Sequence, residues 1–229
     1  MKSVTEQMST PGKRGPKRTL SEERVTAAAL DLVDREGGAA LSVRRVAAEL
    51  GVRPNALYTY VPDRAGLERA LVEWAMGQAD LGLLDGPARS WRGRIRDYAL
   101  ALRAALLDHP AVAPLMMTAP MDGPAALEAG ERLLGAFADG GLTGKAPARA
   151  CWVLIVYVVG SVALDVAETD GTRPIAAEDD RVATRRARLA QVSAAPWPRT
   201  AASVDTMAEW ITERQFSWGL DRVLVGLVG

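Results

Sequence analysis

The chain has 229 residues with 28 basic and 28 acidic side chains, so it carries no net formal charge and is not a polycation that coats nucleic acid or membrane. Its hydrophobic content of 48% and charged content of 24% suit a soluble globular protein able to bury a core in one domain or two. A single cysteine excludes an internal disulfide framework and fits a reducing, cytoplasmic compartment, and no charged region followed by an apolar core marks a secretory signal.

Residues 1–19 read as a flexible basic arm. Lys13, Arg14, Lys17 and Arg18 surround Gly15 and Pro16, a composition too rich in turn formers for regular structure, and they put positive charge just ahead of the first helix. Ser21 is a natural cap for that helix, with Glu22 and Glu23 at its positive end and Val25, Ala28, Ala29, Leu32 and Val33 as its buried stripe. Gly37 and Gly38 end it. Ser42 caps a second helix whose Val43, Val46, Ala47 and Leu50 share one face, and Gly51 supplies the turn, with Val52 plugging the corner. Pro54 opens a short third helix in which Leu57 turns inward while Asn55, Ala56, Tyr58, Thr59 and Tyr60 stay outward. Pro62 stops it. Asp63 caps a bracing fourth helix carrying Leu67, Ala70, Leu71 and Trp74. The acids Asp31, Asp34, Glu36, Glu68 and Glu73 read as solvated helix faces.

A turn-rich stretch near residues 81–90 separates this unit from a larger helical region. Helices are predicted over about 91–108, 124–139, 146–169 and 204–227, with a proline-broken segment after 108 and a short helix over 178–191 inside a long connection. The 146–169 helix contains the longest uncharged run, CWVLIVYVVGSVAL, short of the about 20 apolar residues of a membrane span. It reads as buried on nearly all sides, in a domain centre or at a subunit interface. No strand alternation and no internal repeat are found, so the fold is all-α: a flexible arm (1–19), a helix-turn-helix unit (20–76) and a larger C-terminal helical region (77–229).

The outward face of the third helix carries the chemistry of base recognition. Asparagine reads a base edge, alanine meets a thymine methyl, and tyrosine hydroxyls bind phosphate. The basic arm suits phosphates or the adjacent minor groove. The capped first helix, LSVRRVAAELGV, the LYTY turn and a brace opening with DRAGL together resemble the tetracycline-repressor (TetR) family of bacterial transcription regulators. HPAVAPLMM, CWVLIVYVVG and FSWGLDRVLVGL are similar to that family's C-terminal domain. The resemblance implies a homodimer whose two reading helices lie in successive major grooves of a palindromic operator, released when a small molecule binds. It places Ser42, Tyr58, Tyr60 and Arg64 at phosphates and Arg44, Pro54, Asn55 and Ala56 at base edges. Arg53 departs from the small capping residue common there and adds a candidate phosphate contact; Thr59 also departs from the family pattern.

Candidates for the effector site are Trp91, Tyr98, Arg103, His109, Met116, Met117, Trp152, Tyr157 and Asp165, each with ordinary packing or capping as its alternative. Tetracycline repressors hold a magnesium-bound drug with histidine and acidic groups. Here the chain has one histidine, and the arginine–proline pair of that site appears as Ala119–Pro120, which argues for an apolar or aromatic effector and no metal or other cofactor. Two alternatives are an effector-independent architectural DNA-binding dimer and a helical small-molecule enzyme. The size of the C-terminal region opposes the first; the lack of a phosphate loop, metal cluster or nucleophile elbow opposes the second. No membrane partner is expected.

Overall fold

A computed structural model describes residues 20–228, which form helices and turns with no strand among them. α1 (Glu22–Glu36) starts where the Ser21 hydroxyl accepts the Arg24 N–H, and α2 (Val43–Glu49) starts where Ser42 accepts the Arg45 N–H at 3.3 Å. α3 (Arg64–Met76) opens on Asp63, whose carboxylate accepts the Gly66 N–H at 2.9 Å. Each cap satisfies an amide that the helix itself leaves open. Gly51, at φ 67°, turns the chain out of α2 in a conformation that only glycine adopts without a Cβ penalty.

The third helix of the sequence reading is tighter than expected. A 3₁₀ turn over Pro54–Ala56 runs into turns through Tyr60, held by Val61 N–H donating to the Leu57 carbonyl at 2.9 Å. Only ten residues separate Gly51 from Pro62, and Pro54, Asn55 and Thr59 are weak helix formers, so the segment winds about two turns around the fully buried Leu57.

The C-terminal region is built from α4 (Trp91–Asp108), α5 (Ala113–Met116), α6 (Pro124–Asp139) and α7 (Ala146–Val166). After these come α8 (Glu178–Leu189), α9 (Pro198–Ala202), α10 (Val204–Ala208) and α11 (Glu213–Val228). One apolar interior runs from Val25 in α1 to Leu224 in α11, and α3 packs against α1, α4, α5 and α6, so the brace belongs to both ends of the molecule. A separate small core of Val182, Ala208 and Ile211 joins α8 to α10.

Four expectations are corrected. The predicted 204–227 helix is interrupted: a 3₁₀ turn over Glu209–Ile211 ends at the extended Thr212, whose hydroxyl accepts the Gln215 N–H at 3.1 Å and starts α11. The signal was present as Thr212-x-x-Gln215, a capping-box spacing in a polar stretch between Ile211 and Phe216. α7 is not buried on nearly all sides. Ala150, Leu154, Val158, Val159 and Val162 face the core, while Trp152, Val156 and Leu164 are 65%, 50% and 72% exposed. Asp34, read as solvated, is buried, because α1 lies against the end of α4. Glu73 is half-buried and caps α6 by accepting the Ala125 N–H at 2.5 Å. Gly123 leaves room for it, since a Cβ there would displace the Glu73 carboxylate from this cap.

Leu57 carries the reading turn's only fully buried side chain between Pro54 and Tyr60. Leu57→Ala is expected to cost about 2–5 kcal/mol, read from the urea midpoint. A loss below half a kcal/mol, on the order of a surface substitution, would refute its anchoring role.

Candidate nucleic-acid interface and ligand core

Of the residues assigned to DNA from sequence, Arg44, Arg53, Asn55, Ala56, Tyr58 and Thr59 are exposed on α2 and the turn behind it, and Pro54 is half-buried. Arg44 and Arg53 have no ion-pair partner among the described residues, whereas Arg45 is tied to Glu36, and Arg35 to Glu36 and Glu49. Hydrogen bonds from Arg45 and Arg35 hold the Glu36 carboxyl below its usual range. The head's acids thus cancel the arginines beside them and leave the reading surface its positive charge.

Ser42, Tyr60 and Arg64 have other duties. Ser42 caps α2. The Tyr60 hydroxyl donates to the Leu20 carbonyl at 2.9 Å, fastening the start of the described chain to the turn. Arg64 donates to the Leu41 carbonyl at 2.9 Å, the Gly38 carbonyl at 3.1 Å and the Glu68 carboxylate at 2.7 Å. Tyr60 and Arg64 therefore tie parts of the head's scaffold together. Lys13, Arg14, Lys17 and Arg18 lie outside the described residues.

His109, an effector candidate from sequence, is found at the junction of head and body. Its Nδ1 lies 2.6 Å from Asp34 Oδ2 on α1, and its ring meets Trp74 of α3 edge-on, centroids 4.7 Å apart. Arg173 closes the joint by donating its backbone N–H to the Asp34 carbonyl at 2.7 Å and its guanidinium to both Asp108 oxygens at 2.9 Å. Burial pushes the Asp34 carboxyl up, and the hydrogen bond from His109 opposes that shift. Nothing in the spacing of residues 34, 74 and 109 foretold this meeting.

Among the other effector candidates, Arg103, Tyr157 and Asp165 come together deep in the body. Arg103 Nη2 donates to Asp165 Oδ2 at 2.9 Å and to the Ile211 carbonyl at 3.3 Å, and the guanidinium lies 5.2 Å from the Phe216 ring centroid. Tyr157 donates to the Phe216 carbonyl at 2.7 Å. Burial pushes the Asp165 carboxyl up to about 6 even though Arg103 pulls the other way. A cavity of about 540 Å³ opens beside this centre, lined by Tyr157, Ser161, Asp165, Trp210 and Phe216. A second of about 330 Å³, on Asp165 and Ile211 as well, extends toward α8.

The remaining candidates are dispersed. Trp91 and Met116 are buried packing residues, and Trp91 also fills the space beside Gly140. Tyr98 is buried, its hydroxyl has no partner among the described residues, and burial pushes its pKa up to about 12. Met117 and Trp152 are exposed. Sequence reasoning missed Trp210 as a cavity residue because the break at Glu209–Ile211 was not seen, and missed Arg181 because nothing in the spacing shows that α8 lies over Asp165. Among the described residues no group of three or more His, Cys, Asp or Glu side chains is placed to hold a metal ion. Burial pushes the Cys151 thiol up to about 11, so it is a packing group and a poor nucleophile.

A profile of the tetracyclin repressor-like C-terminal domain matches residues 85–228. The HTH-type transcriptional repressor DrrR1 of Streptomyces coeruleorubidus is 31% identical over 221 residues, covering 93% of this chain and 79% of that protein. An HTH-type transcriptional regulator of Saccharopolyspora erythraea is 34% identical over 164 residues, 69% of this chain and 68% of its own. Among solved structures, the TetR family protein ActR of Streptomyces coelicolor in complex with (S)-DNPA superposes with a TM-score of 0.77 at 22% identity, over 91% of this chain and 97% of ActR. A possible TetR family regulator from Streptomyces coelicolor A3(2) gives 0.74 at 28% identity, over 90% and 98%. With a helix-turn-helix head, an all-helical body matched by the profile and a relative that covers 93% of the chain, the protein belongs to the tetracycline-repressor (TetR) family of DNA-binding transcriptional regulators.

Proposed function

We propose that the protein is a homodimeric repressor that leaves a palindromic operator when a small apolar or aromatic molecule enters the body. The observation that carries this reading is the joint at α3. The helix behind the reading turn is held to the body at Trp74 against His109 and at Glu73 on the Ala125 N–H, so a shift in α4 or α6 moves the head. Two heads must sit about 34–36 Å apart to occupy successive major grooves, and a small rotation of each α3 spoils that distance. Effector and operator then compete by preferring different conformers.

Arg44, Asn55 and Ala56 are the base-reading residues of this scheme, Tyr58 and Arg53 its phosphate contacts, and Tyr60 and Arg64 positioning residues. The basic arm reaches the flanking backbone. The dimer forms where α7 and α11 expose Trp152, Val156, Leu164, Trp218 and Val225, two helices from each subunit making a four-helix bundle. α7 is long and apolar enough to cross a membrane by composition alone, but the buried Asp165–Arg103 pair near its end suits a core helix. An aromatic effector is supported by the walls of the larger cavity and by ActR, a relative in fold crystallised with actinorhodin. The protein acts by binding, without catalysis of its own, and works in the cytoplasm.

Arg44→Ala is expected to weaken binding to the DNA upstream of the protein's own gene by about 1–3 kcal/mol of discrimination, with the circular-dichroism melt unchanged. Gel-shift titration against scrambled DNA reads the difference; equal loss on both DNAs would make Arg44 a phosphate contact. Trp152→Glu together with Trp218→Glu is expected to yield monomers in analytical ultracentrifugation and to abolish operator binding. A dimer that persists in that double variant places the interface elsewhere. At the joint, a double-mutant cycle on Asp34→Asn and His109→Leu is expected to give a coupling of about 0.5–3 kcal/mol in urea unfolding, and additive single losses would contradict the contact.

A further inference from the structure

The described chain begins against the reading turn. Leu20 packs on the core and lines one surface cleft with Gly51 and Val52, where the chain enters the turn; its carbonyl accepts the Tyr60 hydroxyl at 2.9 Å, where the chain leaves it. α1 makes no use of that carbonyl, because the Arg24 N–H goes to the Ser21 hydroxyl and the Val25 N–H to the Ser21 carbonyl at 3.0 Å. Tyr60 thus reaches past the helix to hold the residue that leads into it. Lys13, Arg14, Lys17 and Arg18 fall within the seven residues before Leu20.

A phenol has one proton to donate, and a DNA phosphate oxygen only accepts. Tyr60 therefore serves the Leu20 carbonyl or a phosphate, and not both at once. Holding the Leu20 carbonyl fixes the point from which the arm starts. An extended chain advances about 3.3–3.6 Å per residue, so Arg18 lies within about 7 Å of Leu20 and Lys13 within about 25 Å. From a root beside the reading turn, those lengths cover the backbone next to a docked head. A root that swings free presents the same charges at a lower effective concentration.

We propose that Tyr60 is a positioning residue for the basic arm: by holding the Leu20 carbonyl beside the reading turn, its hydroxyl aims Arg18, Lys17 and the basic residues before them along the phosphates that flank the bound major groove. This rests on the DNA-reading assignment above and goes beyond it by naming the contact through which the arm adds to affinity. The arm's share is electrostatic and independent of sequence. Each phosphate it neutralises steepens the fall of log affinity with log salt by about 0.9, so all four basic residues together contribute up to about 3.6.

The test measures binding of the full-length protein to a labelled duplex from upstream of its own gene, and to a scrambled duplex, by fluorescence anisotropy across a salt series. The native chain is compared with Tyr60→Phe, with an arm variant in which Lys13, Arg14, Lys17 and Arg18 are changed to Gln, and with the combination. Tyr60→Phe keeps the packed ring and is expected to bind the upstream duplex about three- to tenfold more weakly, the worth of one hydrogen bond, with a salt slope shallower by about one. In the arm variant the same change is expected to move the affinity by less than about twofold, because the group that the hydroxyl aims is gone. A loss of the same size in both backgrounds, or one that leaves the salt slope unchanged, makes Tyr60 a direct phosphate contact and overturns the aiming role. No loss in the native background overturns it as well. Native protein that binds the two duplexes alike overturns the DNA-reading assignment alone, since the arm's contacts carry no sequence information and the comparison of backgrounds still decides the role of Tyr60. Binding to neither duplex overturns both.

Discussion

The contact between Asp34 and His109 is the constraint on which the relation of head to body depends. It joins residues 75 apart in sequence, at 2.6 Å, in a place where both side chains are largely shielded from water. An isolated carboxylate there would be expensive, and one of its oxygens has no partner among the described residues, so the imidazole is what makes Asp34 tolerable in that position. The same ring is the surface against which Trp74 packs edge-on. α1, α3 and the end of α4 are thereby fixed to one another through a single side chain, and the reading turn, hung between α2 and α3, inherits that orientation.

The second organising contact also starts from the C-terminal half of α4. Arg103 satisfies Asp165 on α7 and turns the Ile211 carbonyl toward itself, which draws that backbone out of the helical path and leaves Thr212 extended. Thr212 then restarts the chain as the cap of α11. The buried ion pair and the interruption of the terminal helix are one feature, because a helix running unbroken through Ile211 would use that carbonyl for its own ladder. The break also sets Trp210 beside the larger cavity and lets α10 pair with α8 around a small core of their own.

Local signals were legible in the sequence, and meetings at a distance were not. Ser21, Ser42 and Asp63 cap the helices they were expected to cap, and Gly51 takes the positive φ that its turn requires. These depend on neighbours within three residues. Leu57 was assigned inward from periodicity alone, and the core confirms it. The length of the third helix was misjudged because apolar spacing fixes which side faces inward and says little about whether four or three residues close each turn. His109 was read as a helix-end or ligand residue since its partner on α1 has no spacing relation to it. Tyr60 and Arg64, placed at phosphates by the family resemblance, also donate to carbonyls at Leu20, Gly38 and Leu41, a scaffold role that no sequence spacing shows because only the folded backbone brings those acceptors near.

α7 combines two kinds of surface that rarely share a helix. On one side it presents Leu154, Val158, Val162 and the paired Asp165 to the body; on the other it presents Trp152, Val156 and Leu164 to solvent, large apolar groups that a monomer has reason to cover. Its uniform hydrophobicity along the sequence concealed this division, since a helix apolar all round reads as buried all round. The division matters for regulation. Asp165 and Leu164 are adjacent residues beside the cavity of about 540 Å³, one in the buried ion pair and the other exposed on the proposed dimer face. A rigid helix cannot rotate the first without moving the second, so in the proposed dimer an effector that displaces Asp165 alters the angle between subunits as well as the joint at His109. The spacing between the two heads is then set from both ends of the body at once.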